Sequence, residues 1–375
     1  MSIVIGADLV PTKSNFELFN NGNAVELVGE ELVNILKNAD YRVFNLEVPL
    51  TDKETPIDKC GPNLIAPTST IKGYTALGVD LLTIANNHIL DQGEQGFNTT
   101  VKLLDDNNIS YLGGGQNLEQ ASQGYVIEIN GKKIGFYACA EHEFSIATGK
   151  TCGANPFDPL ESFDHVVELK NSCDYLIVLY HGGKEHYRYP SPNLQKTCRK
   201  FVEKGANLVL CQHSHCVGCK EDYRNGVIIY GQGNFLFDFR ENEFWQTGFL
   251  IKINDNFTHE YIPIIKSKNG VRFAEKDVGE RIIENFNLRS EQIKEIGFID
   301  KQYSKYAKEV FEEYLYSFSS VKRGLSFRIV NKLFNHKFSS WFLKKKYSKK
   351  HLLSIKNYIE CEAHRELFLR GVKDE

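Results

Sequence analysis

The sequence predicts a layered α/β domain that is followed by a helical C-terminal extension. Up to about residue 266, short apolar strands alternate with helical stretches, which is the pattern typical of layered α/β domains. After Gly279 the strand pattern fades and helical periodicity dominates. We therefore expect an α/β domain at 1–270, a helical and basic region at 271–375, and a boundary near 270–280.

The composition is typical of a soluble globular protein. The 375 residues are 42% hydrophobic and 25% charged. No stretch reaches the roughly 18 apolar residues that a membrane helix needs. The apolar run at Ser2–Ala7 is too short for a signal peptide and lacks its basic flank. Nine scattered cysteines suit a reducing compartment better than a disulfide framework, so we expect a cytoplasmic protein.

Metal-competent or small residues follow six apolar strands in succession. The strand tips are Asp8 after Ser2–Ala7, Asn45-Leu46-Glu47 after Tyr41–Phe44, Asn87-His88 after Leu81–Ala85, His181 after Tyr175–Tyr180, His213-Ser214-His215 after Asn207–Cys211, and Gly233-Asn234 after Val227–Tyr230. Strand ends of this kind meet at one edge of a sheet in α/β proteins, so we expect these residues to lie together. A single tip has a structural explanation, since a lone aspartate after a strand is usually a turn or cap residue. The recurrence of the pattern favours a metal site.

The chemistry of the tips indicates the kind of metal. A set of imidazole, carboxylate and amide ligands suits Mn, Fe or Zn better than Ca. His213 and His215 are two residues apart, and on an extended segment or tight turn they could reach a pair of adjacent ions. We therefore expect a divalent transition metal as a cofactor, with one or two ions.

The order of these motifs resembles the CapA family of capsule and poly-γ-glutamate synthesis proteins. The motifs are Asp8, Asn45-Leu46-Glu47, Asn86-Asn87-His88 with Asp91, His181-Gly182-Gly183-x-Glu185, His213-x-His215 and Gly233-Asn234-Phe235, and the resemblance covers roughly residues 3–252. That family is in turn similar to the calcineurin-like metallophosphoesterases. The resemblance implies a four-layer α/β/β/α sandwich of the metallo-dependent phosphatase type, with a two-metal site at the strand ends.

The resemblance also implies a role for each motif residue. Asp8 and His215 would bind one metal, whereas Asn87, His181 and His213 would bind the other, and Glu47 would bridge the two. His88 would bind no metal; held in one orientation by Asp91, it would donate a proton to the leaving group.

The sequence departs from the phosphoesterase pattern in three places. Asp8-Leu9-Val10 lacks the histidine of the usual Asp-x-His motif, and Ala7 is inserted between Gly6 and Asp8. Glu47 also stands where an aspartate is usual. A single-metal or loosely dinuclear site therefore remains an alternative to the two-metal site.

Further polar residues near the motifs are assigned to the substrate pocket. They are Asn45, Lys59, His142, Lys184, Glu185, Arg188 and Asn234. Lys59, Lys184 and Arg188 could bind an anionic group by charge and hydrogen bonding, although each could instead form a surface salt bridge. Glu185 could brace a metal-bound histidine.

Two classes of function remain open. The first is a metal-dependent hydrolase that acts on a phosphoester or a γ-glutamyl-type amide of an anionic polymer in capsule or cell-envelope metabolism. The second is a non-catalytic, metal-binding component of capsule polymer assembly. His88 and Asp91 favour the enzyme because neither is needed to hold metal, whereas the missing first-motif histidine favours the second class.

A basic segment near the C-terminus carries a separate signal. Residues 322–356 contain eleven Lys or Arg and no Asp or Glu, so the rest of the chain sums to −3 − 11 = −14. Phe334, Phe338, Trp341 and Phe342 recur at helical spacing and should share one helix face. That face could pack on the α/β domain or lie on an anionic membrane at its inner surface. The segment could instead bind an acidic polymer or a nucleic acid, although we expect no specific recognition of nucleic acid.

Overall fold

The computed structural model describes residues 1–237, 241–319, 327, 331–334 and 337–374. The chain divides into two compact units, Met1–Asp300 and Lys301–Glu375. The strands are β1 (Ile3–Leu9), β2 (Tyr41–Asn45), β3 (Leu81–Thr83), β4 (Ser110–Leu112), β5 (Gly114–Gly115), β6 (Tyr125–Ile129), β7 (Lys132–Ala140), β8 (Gly153–Ala154), β9 (Tyr175–His181), β10 (Leu208–Gln212), β11 (Lys220–Tyr223), β12 (Gly226–Tyr230), β13 (Asn234–Leu236), β14 (Thr247–Ile253), β15 (His259–Ser267) and β16 (Gly270–Phe273). The helices are α1 (Phe16–Asn21), α2 (Ala24–Lys37), α3 (Ile71–Ala76), α4 (Gly93–Asp106), α5 (Leu118–Ala121), α6 (Ser162–Lys170), α7 (Pro192–Glu203), α8 (Lys276–Gln292), α9 (Phe298–Phe318), α10 (Lys337–Lys346), α11 (Lys349–Glu360) and α12 (Glu362–Asp374).

Two mixed sheets form the framework of the first unit. The larger sheet has the order β16-β15-β14-β1-β2-β3-β4, with β13 pairing to β1, and the smaller has the order β11-β12-β10-β9-β7-β6. The strands β1, β2, β3 and β4 are parallel, as are β7, β9, β10 and β12. Each sheet therefore has an edge at which several strands end together, and the predicted motifs occupy these ends.

Buried side chains divide the first unit into four layers. Along β1, Ile3 and Ile5 join a cluster with Phe136 and Ile177 of the smaller sheet, so the two sheets pack face to face. Val4 points to the opposite side, where it joins a cluster that includes residues of α2, α3 and α4. Residues of α6 and α7 cover the outer face of the smaller sheet. The predicted α/β/β/α sandwich is confirmed.

Local sequence explains why the flanking helices begin where they do. At the start of α2, the Asn23 side chain accepts a hydrogen bond from the backbone N–H of Glu26 at 3.1 Å. At the start of α7, Ser191 accepts one from Leu194 N at 3.0 Å, and Pro192 occupies the first turn. Both helices then bury apolar residues at spacings of three and four, which fixes the face that meets the sheet.

The helix α8 belongs to the first unit. Ile282 and Phe286 are buried in the cluster between the sheets, and the Phe286 ring lies 5.1 Å from that of Phe249. This packing explains why the compact unit runs to Asp300, beyond the boundary near 270–280 that the fading strand pattern suggested.

The second unit is helical, as expected. Leu315, Tyr316 and Leu343 are buried together, with Phe327 and Phe342 packed against them. No helix among the described residues is long and apolar enough to cross a membrane. Of the basic segment 322–356, residues 322–326, 328–330 and 335–336 lie outside the described residues.

Candidate metal centre

A β-bulge places Asp8. Ile5 and Asp8 are three residues apart in β1, but their partners in β2 are only two apart, so β1 carries one extra residue. The bulge brings Asp8 opposite Asn45, whose Nδ2 donates a hydrogen bond to Asp8 Oδ1 at 2.7 Å. Gly6 leaves room for the Phe44 ring, since a Cβ there would lie 2.1 Å from that ring. The inserted Ala7 is thus accommodated within the strand, and Asp8 is completely buried.

Glu47 is a buried carboxylate without hydrogen-bond donors. It is 0% exposed, and neither of its oxygens has a hydrogen-bond partner among the described residues. Burial and the neighbouring charge of Asp8 raise the pKa of Glu47 to about 8. Burying a carboxylate without compensation is costly, and a bound cation is the usual remedy.

Four candidate ligand atoms lie close together, and one of them is Nε2 of His181. Its Nε2 lies 3.0 Å from Asn87 Oδ1, 3.1 Å from His213 Nδ1 and 3.4 Å from Glu47 Oε1. A single ring proton could satisfy only one of these neighbours. Burial lowers the pKa of His181 to about 4, which keeps the ring neutral and able to act as a ligand.

The tip of β10 holds its two histidines in a strained backbone. His213 has a φ of 81° and His215 a φ of 53°, both in the left-handed region that L-residues rarely adopt. The two rings lie 6.0 Å apart. Burial lowers the pKa of His213 well below its usual range. Burial also disfavours the charged form of His215, but the contact with Asp8 and the charge of Glu47 raise its pKa to about 9.

The ligand atoms form two groups that share Glu47. Glu47, His181 and His213 make one group, and Asp8, Glu47 and His215 make the other, with the ligand atoms of each group within 4.8 Å of one another. Donors bound to one ion at about 2.1 Å lie roughly 3.0–3.4 Å apart at ordinary coordination angles. The contacts of His181 fall in this range, and so does the 3.3 Å between His215 Nδ1 and Asp8 Oδ2. The residues therefore fit a divalent metal.

His88 lies outside both ligand groups. Its Nδ1 is 2.6 Å from Asp91 Oδ2, and Asp91 is completely buried. Asp91 also accepts a hydrogen bond from Leu64 N at 2.5 Å, which fixes the carboxylate. This arrangement orients the ring and leaves Nε2 as the nitrogen that can meet a substrate. The imidazole is 14% exposed, so a ligand can reach it.

Lys59 has a different neighbour from the one expected. Its Nζ forms an ion pair with Asp91 Oδ1 and lies 3.2 Å from His88 Nδ1. The side chain is only 2% exposed, so its charge is already matched by a buried carboxylate. We had expected Lys59 to bind an anionic substrate group, but the structure places it behind His88.

Asn45 and Asn234, which the sequence assigned to the substrate pocket, contact residues of the two candidate ligand groups. Asn45 donates to Asp8 and accepts from Asn86 Nδ2 at 3.1 Å, and Asn234 Oδ1 lies 2.9 Å from His215 Nδ1. Both asparagines are buried, and Asn234 contacts the same nitrogen of His215 that lies 3.3 Å from Asp8 Oδ2.

The remaining pocket residues are Glu185, which lies near the site, and Lys184, His142 and Arg188, whose side chains contact other groups or solvent. Glu185 lies near the site, and the charges of His213 and His215 outweigh its burial and lower its pKa. Lys184 and His142 are exposed, and the structure shows no contact of either side chain with the ligand groups among the described residues. Arg188 donates to the carbonyl oxygen of Val217 at 2.9 Å, so its guanidinium is directed at a neighbouring loop.

Two residues at the site were missed by the sequence reasoning. Glu143, next to His142, accepts a hydrogen bond from Asn87 Nδ2 at 3.0 Å and lies 3.9 Å from His213 Nε2. Trp245 stacks on the His215 ring with the centroids 4.6 Å apart, and it is 3% exposed. Glu143 belongs to the stretch Ala140–Glu143 at the end of β7, which the sequence placed near the pocket, but only His142 of that stretch was assigned a role. Trp245 follows no strand tip, and no sequence signal points to it.

Comparisons with known proteins identify the family of the chain and some of its relatives. Residues 17–239, well over half of the chain, match the family described as "Bacterial capsule synthesis protein PGA_cap". The capsule biosynthesis protein CapA of Bacillus anthracis is 30% identical over 213 residues, which cover 54% of this chain and 52% of that protein. The PGA biosynthesis protein CapA of Bacillus subtilis (strain 168) is 28% identical over 219 residues, covering 54% and 55%. The chain thus spans about half the length of these relatives.

Solved structures with related folds are more distant. A novel phosphatase from Mycoplasma pneumoniae aligns with a TM-score of 0.43 at 14% identity, covering 72% of this chain and 94% of that one. A 5'-nucleotidase precursor from Thermus thermophilus aligns with a TM-score of 0.41 at 12% identity, covering 77% and 58%.

Proposed function

Since the chain belongs to the bacterial capsule synthesis protein family PGA_cap, we propose that it is a metal-dependent hydrolase in capsule or cell-envelope polymer metabolism. Its substrate would be a phosphoester or a γ-glutamyl-type amide. The observation that carries the proposal is the His88–Asp91 pair, which adjoins the ligand groups without belonging to them. A site built only to hold metal has no use for an oriented imidazole with a free Nε2.

The ligand groups would hold Mn, Fe or Zn, as one or two ions. Glu47 would contribute to both groups, with Asp8 and His215 on one side and Asn87, His181 and His213 on the other. When bound, the metal would supply Lewis-acid polarisation of the scissile group. The buried, donor-free carboxylate of Glu47 supports this assignment.

The protein side chains would supply the proton transfer. Asp91 holds Nδ1 of His88, so that Nε2 can donate a proton to the leaving oxygen or nitrogen. Lys59 keeps the Asp91 carboxylate in place from the other side. The walls around His181 and His213 are buried, which limits the access of bulk water to the reacting bond.

The second candidate is a metal-binding component of capsule polymer assembly that has no catalytic activity. The observation that favours it is Val10, which occupies the position of the usual first-motif histidine. Val10 is 2% exposed and packs in the outer apolar cluster, so it offers no ligand.

Turnover measurements separate the two candidates. We would assay phosphoesters and γ-glutamyl peptides with added Mn²⁺, comparing the unmodified protein with His88→Asn. The hydrolase predicts turnover that His88→Asn lowers by about 10²–10⁴-fold while elemental analysis finds unchanged metal. Metal binding without turnover on any of these substrates would support the assembly component instead.

The metal itself is tested by a ligand variant. His213→Ala/His215→Ala should contain much less Mn, Fe or Zn than the unmodified protein when both are purified without chelator. Equal metal in the two samples would contradict the site. Loss of metal from His88→Asn would show that His88 is a ligand and not the proton donor.

A further inference from the structure

A cleft lined by three arginines lies beside the candidate metal centre. Its volume is about 420 Å³, within the roughly 300–1,000 Å³ of small-ligand sites. Arg281, Asn285 and Arg289 lie four residues apart along α8 and therefore share one face of that helix. Arg188 contributes from the loop that follows His181. We call this feature the arginine cleft.

Two of the guanidinium groups are close together. Arg188 Nη1 and Arg289 Nη2 both donate to the carbonyl oxygen of Val217, at 2.9 and 3.1 Å. Arg289 Nε also donates to Gly218 O at 2.7 Å. These acceptors are neutral, so the hydrogen bonds fix the two side chains without cancelling their charge. Burial and the charge of Arg188 lower the pKa of Arg289, which reflects the same crowding.

Among the described residues that line the cleft, Glu243 is the one carboxylate beside the three arginines. Glu243 Oε1 lies 3.5 Å from Arg188 Nη2, but the Glu243 side chain is 75% exposed. Arg281 has no ion pair or hydrogen bond within the described ranges, and its side chain is exposed. One carboxylate against three guanidinium groups leaves the cleft with an excess of positive charge.

The hydrogen-bonding capacity of the arginines is also incompletely used. A guanidinium has five N–H donors, and Arg289 spends only two of them on the Val217 and Gly218 carbonyls. Carboxylate and phosphate oxygens match the forked geometry of the donors that remain. Asn285, on the same helix face, adds an amide group to the lining.

We propose that the arginine cleft is a binding site for an oxyanion group, carboxylate or phosphate, of a polymeric ligand. Its position suggests how the group would be used. Val217 is two residues beyond His215, and the 3₁₀ turn Glu243–Trp245 carries Glu243 at the cleft and Trp245 on the His215 ring. A polymer bound at the metal centre would thus place a neighbouring anionic unit in the cleft. This last step rests on the proposed function, whereas oxyanion binding does not.

Direct binding measurements test the cleft independently of turnover. Full-length protein would be titrated by calorimetry with short γ-linked glutamate oligomers, tripolyphosphate and inorganic phosphate. Arg281→Ala is the informative variant, because Arg281 is exposed and supports no loop. Lys294→Ala is the control, since it removes one exposed charge just beyond the same helix. We expect Arg281→Ala to weaken binding about tenfold or more, Arg281→Lys to lose less, and Lys294→Ala to bind like the unmodified protein.

The possible outcomes are distinct. Tighter binding of the glutamate oligomer would identify carboxylates as the ligand, and tighter binding of tripolyphosphate would identify phosphates. No binding of any probe, or equal affinity of Arg281→Ala and the unmodified protein, would overturn the proposal. His213→Ala/His215→Ala should still bind the probe through the arginines. If the unmodified protein binds the oxyanion probes but contains no metal and shows no turnover, only the proposed function is contradicted.

Discussion

Glu143 determines which atom of Asn87 faces the candidate metal ligands. Its Oε2 accepts a hydrogen bond from Asn87 Nδ2 at 3.0 Å, and Asn87 Oδ1 then lies 3.0 Å from His181 Nε2. Only the amide oxygen can bind a metal, so this contact prepares Asn87 as a ligand. We expect Glu143→Ala to weaken divalent-metal binding by about 10–100-fold, measured by competition with a chromophoric chelator.

Two variants control for charge and position at Glu143. Glu143→Gln keeps an acceptor for the Asn87 amide and should retain most of the affinity. His142→Ala changes the exposed neighbour, for which the structure shows no contact with the ligand groups, and should bind metal normally. If Glu143→Ala binds metal as tightly as His142→Ala does, the orienting role is wrong.

The ion pair between Lys59 and Asp91 should contribute strongly to stability. The two side chains are 2% and 0% exposed, so removing Lys59 takes away the buried cation of Asp91 and leaves the carboxylate only its contacts with His88 Nδ1 and Leu64 N. We expect Lys59→Met to lower the free energy of unfolding by about 3–5 kcal/mol, measured by urea denaturation. Lys59→Met/Asp91→Asn should cost less than the sum of the single changes, because it leaves no unpaired charge.

An exposed ion pair provides the control for Lys59. Lys102 and Asp106 pair at 2.6 Å on α4, with their side chains 74% and 56% exposed. Lys102→Met should lower the free energy of unfolding by less than about 1 kcal/mol. Equal costs for Lys59→Met and Lys102→Met would show that the buried pair contributes no more than a surface contact.

The sequence predicted the fold, and it predicted that the polar strand-end residues would lie close together, because both follow from where apolar strands end. Asp8 and Glu47 lie at the ends of strands in the larger sheet, and His181, His213 and His215 lie at the ends of strands in the smaller sheet, so the site is shared by two sheets and not by one sheet edge as expected. The pocket residues were harder to predict, since a side chain in a loop is oriented by contacts that are distant in sequence. Arg188, expected to bind an anionic group in the substrate pocket, donates a hydrogen bond to the carbonyl oxygen of Val217.

Trp245 is a residue of the site that the sequence did not predict. It reaches His215 from 30 residues further along the chain, and its Nε1 donates a hydrogen bond to His186 Nε2 at 2.8 Å. The extra alanine before Asp8 was visible in the sequence, but its structural meaning, a β-bulge, required the pairing of β1 with β2. Strand periodicity predicts which residues lie at an edge and does not predict which loop covers them.

The left-handed backbone conformation at His213 should lower the free energy of unfolding of the metal-free protein. With a φ of 81°, His213 adopts a conformation that glycine tolerates and alanine does not. His213→Gly and His213→Ala both remove the imidazole, so their difference isolates the backbone. We expect the glycine variant to be more stable to urea by about 1 kcal/mol, measured in chelator-treated protein. Equal stability of the two variants would show that the backbone there is not strained.

The second unit presents apolar and basic side chains to solvent. Trp341 is 56% exposed and Phe334 is 61% exposed, whereas Leu343 is buried and Phe342 packs against it. The aromatic face that we predicted is therefore divided between an internal cluster and the surface. Lys344, Lys345 and Lys349 are exposed, and Lys345 Nζ lies 5.3 Å from the centre of the Trp341 ring. Exposed lysines together with an exposed tryptophan suit an anionic membrane surface.

We therefore propose that this surface binds anionic lipid, and liposome flotation tests it. The protein should float with phosphatidylserine or phosphatidylglycerol vesicles at low salt, and should float less as salt rises, because the attraction is electrostatic. Changing Lys344, Lys345 and Lys349 to Gln should weaken binding by about a hundredfold, since each basic residue contributes roughly 1 kcal/mol near such a surface. Trp341→Ser should weaken it further without changing the salt dependence. Flotation of the triple Gln variant at the level of the unmodified protein, or equal binding to phosphatidylcholine vesicles, would contradict electrostatic attachment through these lysines.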